Sequence, residues 1–216
     1  DSIWAFHEMY TALRRRRELR GAIDFESDES RILYDEHQKI RDIVPVHRNV
    51  AHVMIEEAML AANICAARLL EKAGVPTLFR NHEPPKEERL ANLQQFLGGL
   101  GLSLAWSEGS ITPRVFQELG EAIDERPDRQ VIQTMMLRTM TQAKYEAEVK
   151  GHFGLAYNAY THFTSPIRRY PDLLVHRAIR YLIRGGAETP HADNPGELPA
   201  IPRDHILPYS QSDMVA

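Results

Sequence analysis

Cysteine is almost missing from this chain of 216 residues: Cys65 stands alone, so no internal disulfide forms and a small disulfide-stapled secreted scaffold is excluded. A solitary thiol suits a reducing compartment, and a cytoplasmic location is the expectation. Long apolar runs are missing too. No stretch approaches the ~20 residues that span a bilayer, and the N-terminus lacks the basic and apolar pattern of a secretory signal, so no membrane partner is expected. Nor is there a large excess of either charge. Lys and Arg number 26 against 30 Asp and Glu, a net charge of −4, so a nucleic-acid partner has to be met by a local basic face. With 43% hydrophobic and 26% charged residues, the chain is too apolar for a disordered tail and long enough to bury a core.

Several chemical signatures are absent as well. The 10 histidines form no His-Glu-x-x-His pair and Cys65 has no companion, which leaves zinc unsupported. There is no Gly-x-Ser-x-Gly elbow and no phosphate loop of Walker type. Asp24, Glu26, Asp28 and Glu29 lie between a glycine and a serine-flanked turn without EF-hand spacing, and read as a solvated loop rather than a metal site. No metal ligand is assigned.

What is there is helical periodicity. Ile3, Phe6, Tyr10 and Leu13 keep the spacing of an amphipathic helix over residues 2–20, ended by Gly21. Residues 22–46 suit two short strands about 32–34 and 40–46 joined by a polar turn. Asn49 is an N-cap for an Ala- and Leu-rich helix over 50–72, closed by Gly74. A strand over 75–80 and a helix over 86–97 follow, then a helix opening at Thr112-Pro113 and stopping near Pro127, and another capped by Asp128 and reaching Met140. The stretch 144–160 carries a weak strand-and-turn signal. Five prolines between 190 and 208 mark an irregular connector. Strands that do not alternate regularly with helices point to an α+β fold, helix-rich with a few short strands.

Capping and charge coincide in Thr161-His162-Phe163-Thr164-Ser165-Pro166-Ile167-Arg168-Arg169-Tyr170-Pro171-Asp172. Ser165 and Pro166 make an N-cap and first-turn pair whose backbone N–H groups would face an anion, with Arg168 and Arg169 adding fork-shaped donors for a phosphate. Pro171 either kinks this helix or begins it anew, which leaves open which arginine faces the cleft. Asp172, His176, Arg180 and Arg184 recur every four residues and read as a wet face, opposite Leu174, Ala178 and Leu182. On helix statistics alone the two arginines are better read as surface ion-pair partners.

Glu56 and Glu57 stand side by side in a helix with little other polar surface, so at least one carboxylate is expected to face the interior or a cleft and to need a partner there. The plainer alternative is a helix edge with Glu57 and Arg68 in solvent. Arg14 to Arg17 wrap a whole helical turn and read as a solvated helix end favoured by the macrodipole.

The stretch 152–180, with two further segments upstream in matching order, Arg20-Gly21-Ala22-Ile23-Asp24-Phe25-Glu26-Ser27 and Ile55-Glu56-Glu57-Ala58-Met59-Leu60-Ala61-Ala62-Asn63, closely resembles the ribonuclease II/ribonuclease R family of RNB-type exoribonucleases. The resemblance divides the chain into residues 1–186, the C-terminal part of an RNB-like catalytic domain, and 187–216, a Pro-rich connector. It implies processive 3′ to 5′ hydrolysis of single-stranded RNA to nucleoside 5′-monophosphates by the parent enzyme, with Mg²⁺ held by a cluster of aspartates. By position, Arg168 resembles the residue that contacts phosphate at the scissile end, and Arg169 a second basic position. Glu56 resembles the glutamate that contacts the terminal nucleotide, and Phe25 the aromatic that packs against the last base. No segment here matches the aspartate cluster or the flanking cold-shock and S1 modules, so the expectation is a piece of a longer enzyme, itself inactive and without tightly bound Mg²⁺. The rival expectation is a stand-alone RNA-binding or regulatory module.

Overall fold

The computed structural model describes residues 2–24, 29–46, 49–104, 106, 111–183, 210 and 212–214. Phe25 and most of the Pro-rich connector lie outside them. Helix α1 (Ser2–Arg20) leads into a hairpin of β1 (Glu29–Tyr34) and β2 (Ile40–Val46), antiparallel with Ile32 opposite Ile43 and an irregularity between Leu33 and Tyr34. Helix α2 (Val50–Ala73) is bounded as the sequence requires. The Asn49 side chain accepts from the His52 N–H, His52 reaches back to the Asn49 N–H, and Gly74 ends the helix at φ 63°.

Strand β3 (Phe79–Asn81) pairs antiparallel with β4 (Lys144–Glu146). Between them in the chain come α3 (Glu87–Gly99), α4 (Pro113–Ala122) and α5 (Arg129–Thr139). Asp128 stands at the α5 N-cap position without a side-chain capping bond, because Arg126 takes its carboxylate in a two-pronged pair at 2.8 Å on each oxygen. Helix α6 (Tyr170–Tyr181) closes the described fold, apart from a short 3₁₀ turn at Ser212–Met214.

Leu90, Leu93, Leu97, Phe116, Ile123, Ile132 and Met136 bury one core between α3, α4 and α5. Ala66 and Leu70 of α2 meet Val175, Ala178 and Leu182 in a second. The second core fixes α6 against α2, and that packing brings the two ends of the candidate site together. Two separate two-stranded sheets and six α-helices among the described residues make the fold α+β, as the sequence predicts. None of the described helices is long and apolar enough to cross a membrane.

Candidate nucleic-acid interface

The segment that carries Arg168 is built differently from the helix start expected at Ser165. Residues 165–169 form one turn, in which the N–H groups of Arg168 and Arg169 both donate to the Ser165 carbonyl at 3.2 and 3.1 Å. Arg169 is extended at φ −131° and ψ 118°, and α6 begins afresh at Tyr170. Proline explains the break: Pro171 has no N–H to offer the Ile167 carbonyl, and its ring would clash with that carbonyl in a continuous helix. The expected anion site at the Ser165 backbone is therefore corrected. The Ser165 N–H donates at 2.8 Å to Asp172, whose side chain is fully buried in the first turn of α6.

The same carboxylate separates the two arginines. Arg169 Nη2 donates to Asp172 Oδ1 at 2.8 Å, holding that side chain back. Arg168 is exposed, beside Ile167 at 97% exposure, and its side chain makes no hydrogen bond or ion pair among the described residues. The wet face expected on α6 is also corrected at its first two members. Asp172 is buried, and His176 donates from Nε2 to the Phe163 carbonyl at 2.9 Å while stacking on the Phe163 ring at 4.3 Å.

A third arginine stands with this pair, one that no local sequence pattern singles out. Arg80 lies directly opposite Tyr145 in the β3–β4 ladder, and its guanidinium sits 4.7 Å from the centre of the Tyr145 ring. Arg80 has no ion-pair partner among the described residues. The Tyr145 hydroxyl in turn shares a hydrogen bond of 2.5 Å with His162 Nδ1. Burial, then the nearby charge of Arg169, pushes the His162 pKa down to about 4, which favours the neutral imidazole. Burial raises the Tyr145 phenol, opposed by Arg80, Arg169 and Arg168.

From His162 an aromatic line runs to the other end of the site. His162 meets Tyr160 edge-on at 5.6 Å, and Tyr160 lies parallel to Tyr157 at 6.4 Å. Arg20 covers Tyr157 at 3.8 Å. Just beyond is Arg17, 6% exposed, which corrects the reading of Arg14 to Arg17 as a solvated helix end. Arg17 Nη1 donates to Glu57 at 2.8 Å and to Glu56 at 3.3 Å, and Nη2 pairs with Asp24 at 3.3 Å. Burial opposes its charge, and Asp24, Glu57 and Glu56 outweigh that, raising its pKa. The Glu56-Glu57 expectation holds in this form: Glu57 is the buried carboxylate, at 3% exposure, and arginine is its partner. Glu56 is partly exposed.

Mg²⁺ takes oxygen ligands, carboxylates above all. The two buried carboxylates described, Glu57 and Asp172, are each occupied by an arginine, and the described residues gather no group of three or more His, Cys, Asp or Glu side chains. These residues do not fit a magnesium site.

The RNB domain family model matches residues 1–185. A ribonuclease R of Vibrio cholerae is 54% identical over 179 residues, covering 82% of this chain and 21% of that protein. Two solved structures of Mycoplasma genitalium RNase R, one in complex with ribose-methylated single-stranded RNA and one with double-stranded RNA, superpose with a TM-score of 0.82 at 29% identity. They cover 95% of this chain, and 31% and 35% of the respective chains. The chain thus spans about a fifth of the curated relative's length, at 21%.

Proposed function

The chain belongs to the RNB domain family, and from that premise we propose that it is the gripping part of a catalytic domain that degrades single-stranded RNA from its 3′ end. The observation that carries this reading is the pairing of two guanidinium groups that have no carboxylate partner among the described residues, Arg168 and Arg80, with the ring line of Tyr145, His162, Tyr160 and Tyr157. Single-strand binders combine cations that track phosphates with rings that accept any base. A local basic face of this kind is what a chain of net charge −4 needs to meet a polyanion. The likeness to ribonuclease R structures that hold RNA supports the same reading.

In this reading Arg168 contacts the phosphate at the scissile end, supplying a bidentate donor where negative charge builds on the phosphoryl oxygens. Arg169 gives a second positive charge from behind, fixed by Asp172. Glu56, partly exposed beside Arg17, accepts from hydroxyls of the terminal ribose, and Phe25 stacks on the last base. Hydrolysis to nucleoside monophosphates belongs to the parent enzyme, with Mg²⁺ on aspartates outside these residues and with cold-shock and S1 modules adding to the grip. The chain by itself binds RNA and does not cut it.

Fluorescence anisotropy tests this with a labelled single-stranded RNA ending in a free 3′-hydroxyl, compared with the same RNA ending in a 3′-phosphate. Preference for the hydroxyl, weakened by Arg168→Ala, is the expected result. Binding indifferent to both the 3′ end and Arg168 assigns the end pocket elsewhere and overturns the reading.

A further inference from the structure

Asn63 grips the Arg168 segment from α2, with its side chain 3% exposed. Its Oδ1 accepts from the backbone N–H groups of Phe163 and Thr164 at 2.9 and 3.3 Å, while Nδ2 donates to the Tyr160 hydroxyl at 2.9 Å. One amide therefore uses both of its ends to tie the aromatic line to the chain entering the Arg168 turn. At the far side of that turn, Asp172 holds the Ser165 N–H and the Arg169 guanidinium. His176 adds a third tie at the Phe163 carbonyl.

The segment pays heavily for its conformation. Thr164 Oγ1, Arg169 Nε and Asp172 Oδ2 are buried without a hydrogen-bond partner, and each such atom opposes folding. A turn carrying that cost is held by what surrounds it rather than by its own local preference. Of the surrounding ties, Asn63 alone also orients Tyr160.

We propose that Asn63 is a positioning residue for RNA binding: through Phe163, Thr164 and Tyr160 it fixes where Arg168 and the ring beneath the bases stand relative to each other. This rests on Arg168 being the phosphate contact. Asn63 itself touches no RNA. Asn63→Leu keeps the shape of the side chain and removes all three hydrogen bonds. Asn63→Asp keeps the acceptor for the two N–H groups and lets the Tyr160 hydroxyl donate instead.

The test is a double-mutant cycle on the 216-residue chain, read by anisotropy on single-stranded RNA at a temperature where every variant is folded by circular dichroism. Arg168→Ala is expected to weaken binding about tenfold or more, the loss of one charge-assisted contact. Asn63→Leu is expected to weaken binding about threefold or more, and to add little once Arg168 is already Ala. Asn63→Asp restores affinity to within about twofold of wild type. If Asn63→Leu does not fold, Tyr160→Phe, which removes only the acceptor of Nδ2, carries the same cycle. Wild-type affinity in the Asn63 or Tyr160 variant beside a damaged Arg168→Ala overturns the positioning role and leaves the Arg168 reading standing. The same result follows if the Asn63 and Arg168 losses simply add. Absence of binding by the wild-type chain, or indifference to Arg168→Ala, overturns both.

Discussion

Arg17 on α1 donates to Glu57 on α2 at 2.8 Å, and both side chains are buried, so two helices are joined by a desolvated ion pair. A buried pair of this kind is a weak source of net stability, because both ions lose their hydration. Removing one partner is a different matter. Arg17→Met leaves the Glu57 carboxylate stranded and is expected to cost about 3 to 5 kcal/mol in urea denaturation. The double variant Arg17→Met/Glu57→Leu, with no charge left to strand, recovers most of that loss. Equal stability of the single and double variants contradicts the account of Glu57.

The two adjacent arginines of the turn separate by function. Arg168→Ala removes an exposed side chain without a partner among the described residues, so melting temperature stays within about a degree or two while RNA affinity falls. Arg169→Ala takes the cation from the fully buried Asp172 and lowers the melting temperature. Paired thermal melts and anisotropy titrations check this. A swap of the two phenotypes would show that Arg169 is the outward-facing group.

Two glycines behave oppositely on gaining a methyl group. Gly151 has φ +83°, and an added Cβ would lie 3.0 Å from the Tyr157 carbonyl, so Gly151→Ala is expected to destabilise by more than about 1 kcal/mol. Gly98, inside α3, has open space around the same position, and Gly98→Ala gains up to about 1 kcal/mol from helix propensity. Chemical denaturation of both variants decides it.

Histidine titration sets a direction for pH. Burial, then the charges of His82 and Arg80, pushes His152 down to about 3, and burial, then Arg169, pushes His162 down to about 4, from an ordinary 6.5. The unfolded chain therefore takes up protons before the folded one does, so this contribution is complete above pH 6.5 and drains away as pH falls toward 4 and then 3. Melting temperature is expected to drop already between pH 6.5 and 5, above the range where carboxylates titrate. His162→Gln flattens that drop. A melting temperature unchanged over this interval contradicts the buried neutral histidines.

Much of the fold is written locally. The Asn49 cap and the Gly74 stop give α2 its ends within one or two residues, and the hairpin strands follow from their own composition. Expectations failed where a partner lies far along the chain. Four consecutive arginines announce a helical turn, but only the arrival of Glu57, 40 residues on, shows which of them is buried. Asn63 meets Phe163 across 100 residues, and Arg80 meets Tyr145 only through strand pairing, so neither had a local signal beyond the resemblance around Asn63. Capping chemistry favours a helix start at Ser165, and the missing N–H of Pro171 overrides it. Phe25 and the connector prolines lie outside the described residues, so their expected roles rest on the sequence.

The central claim is that Arg168 and Arg80 grip phosphates from an aromatic ledge, and salt dependence measures it most directly. Affinity for a labelled single-stranded RNA, titrated across potassium chloride concentrations, gives a slope whose size counts the phosphates neutralised, about 0.7 for each on a single strand. Arg168→Ala and Arg80→Ala are each expected to shallow that slope by about one contact, whereas Lys86→Ala, an exposed charge at the start of α3, leaves it unchanged. An identical slope in wild type and both arginine variants would contradict the claim.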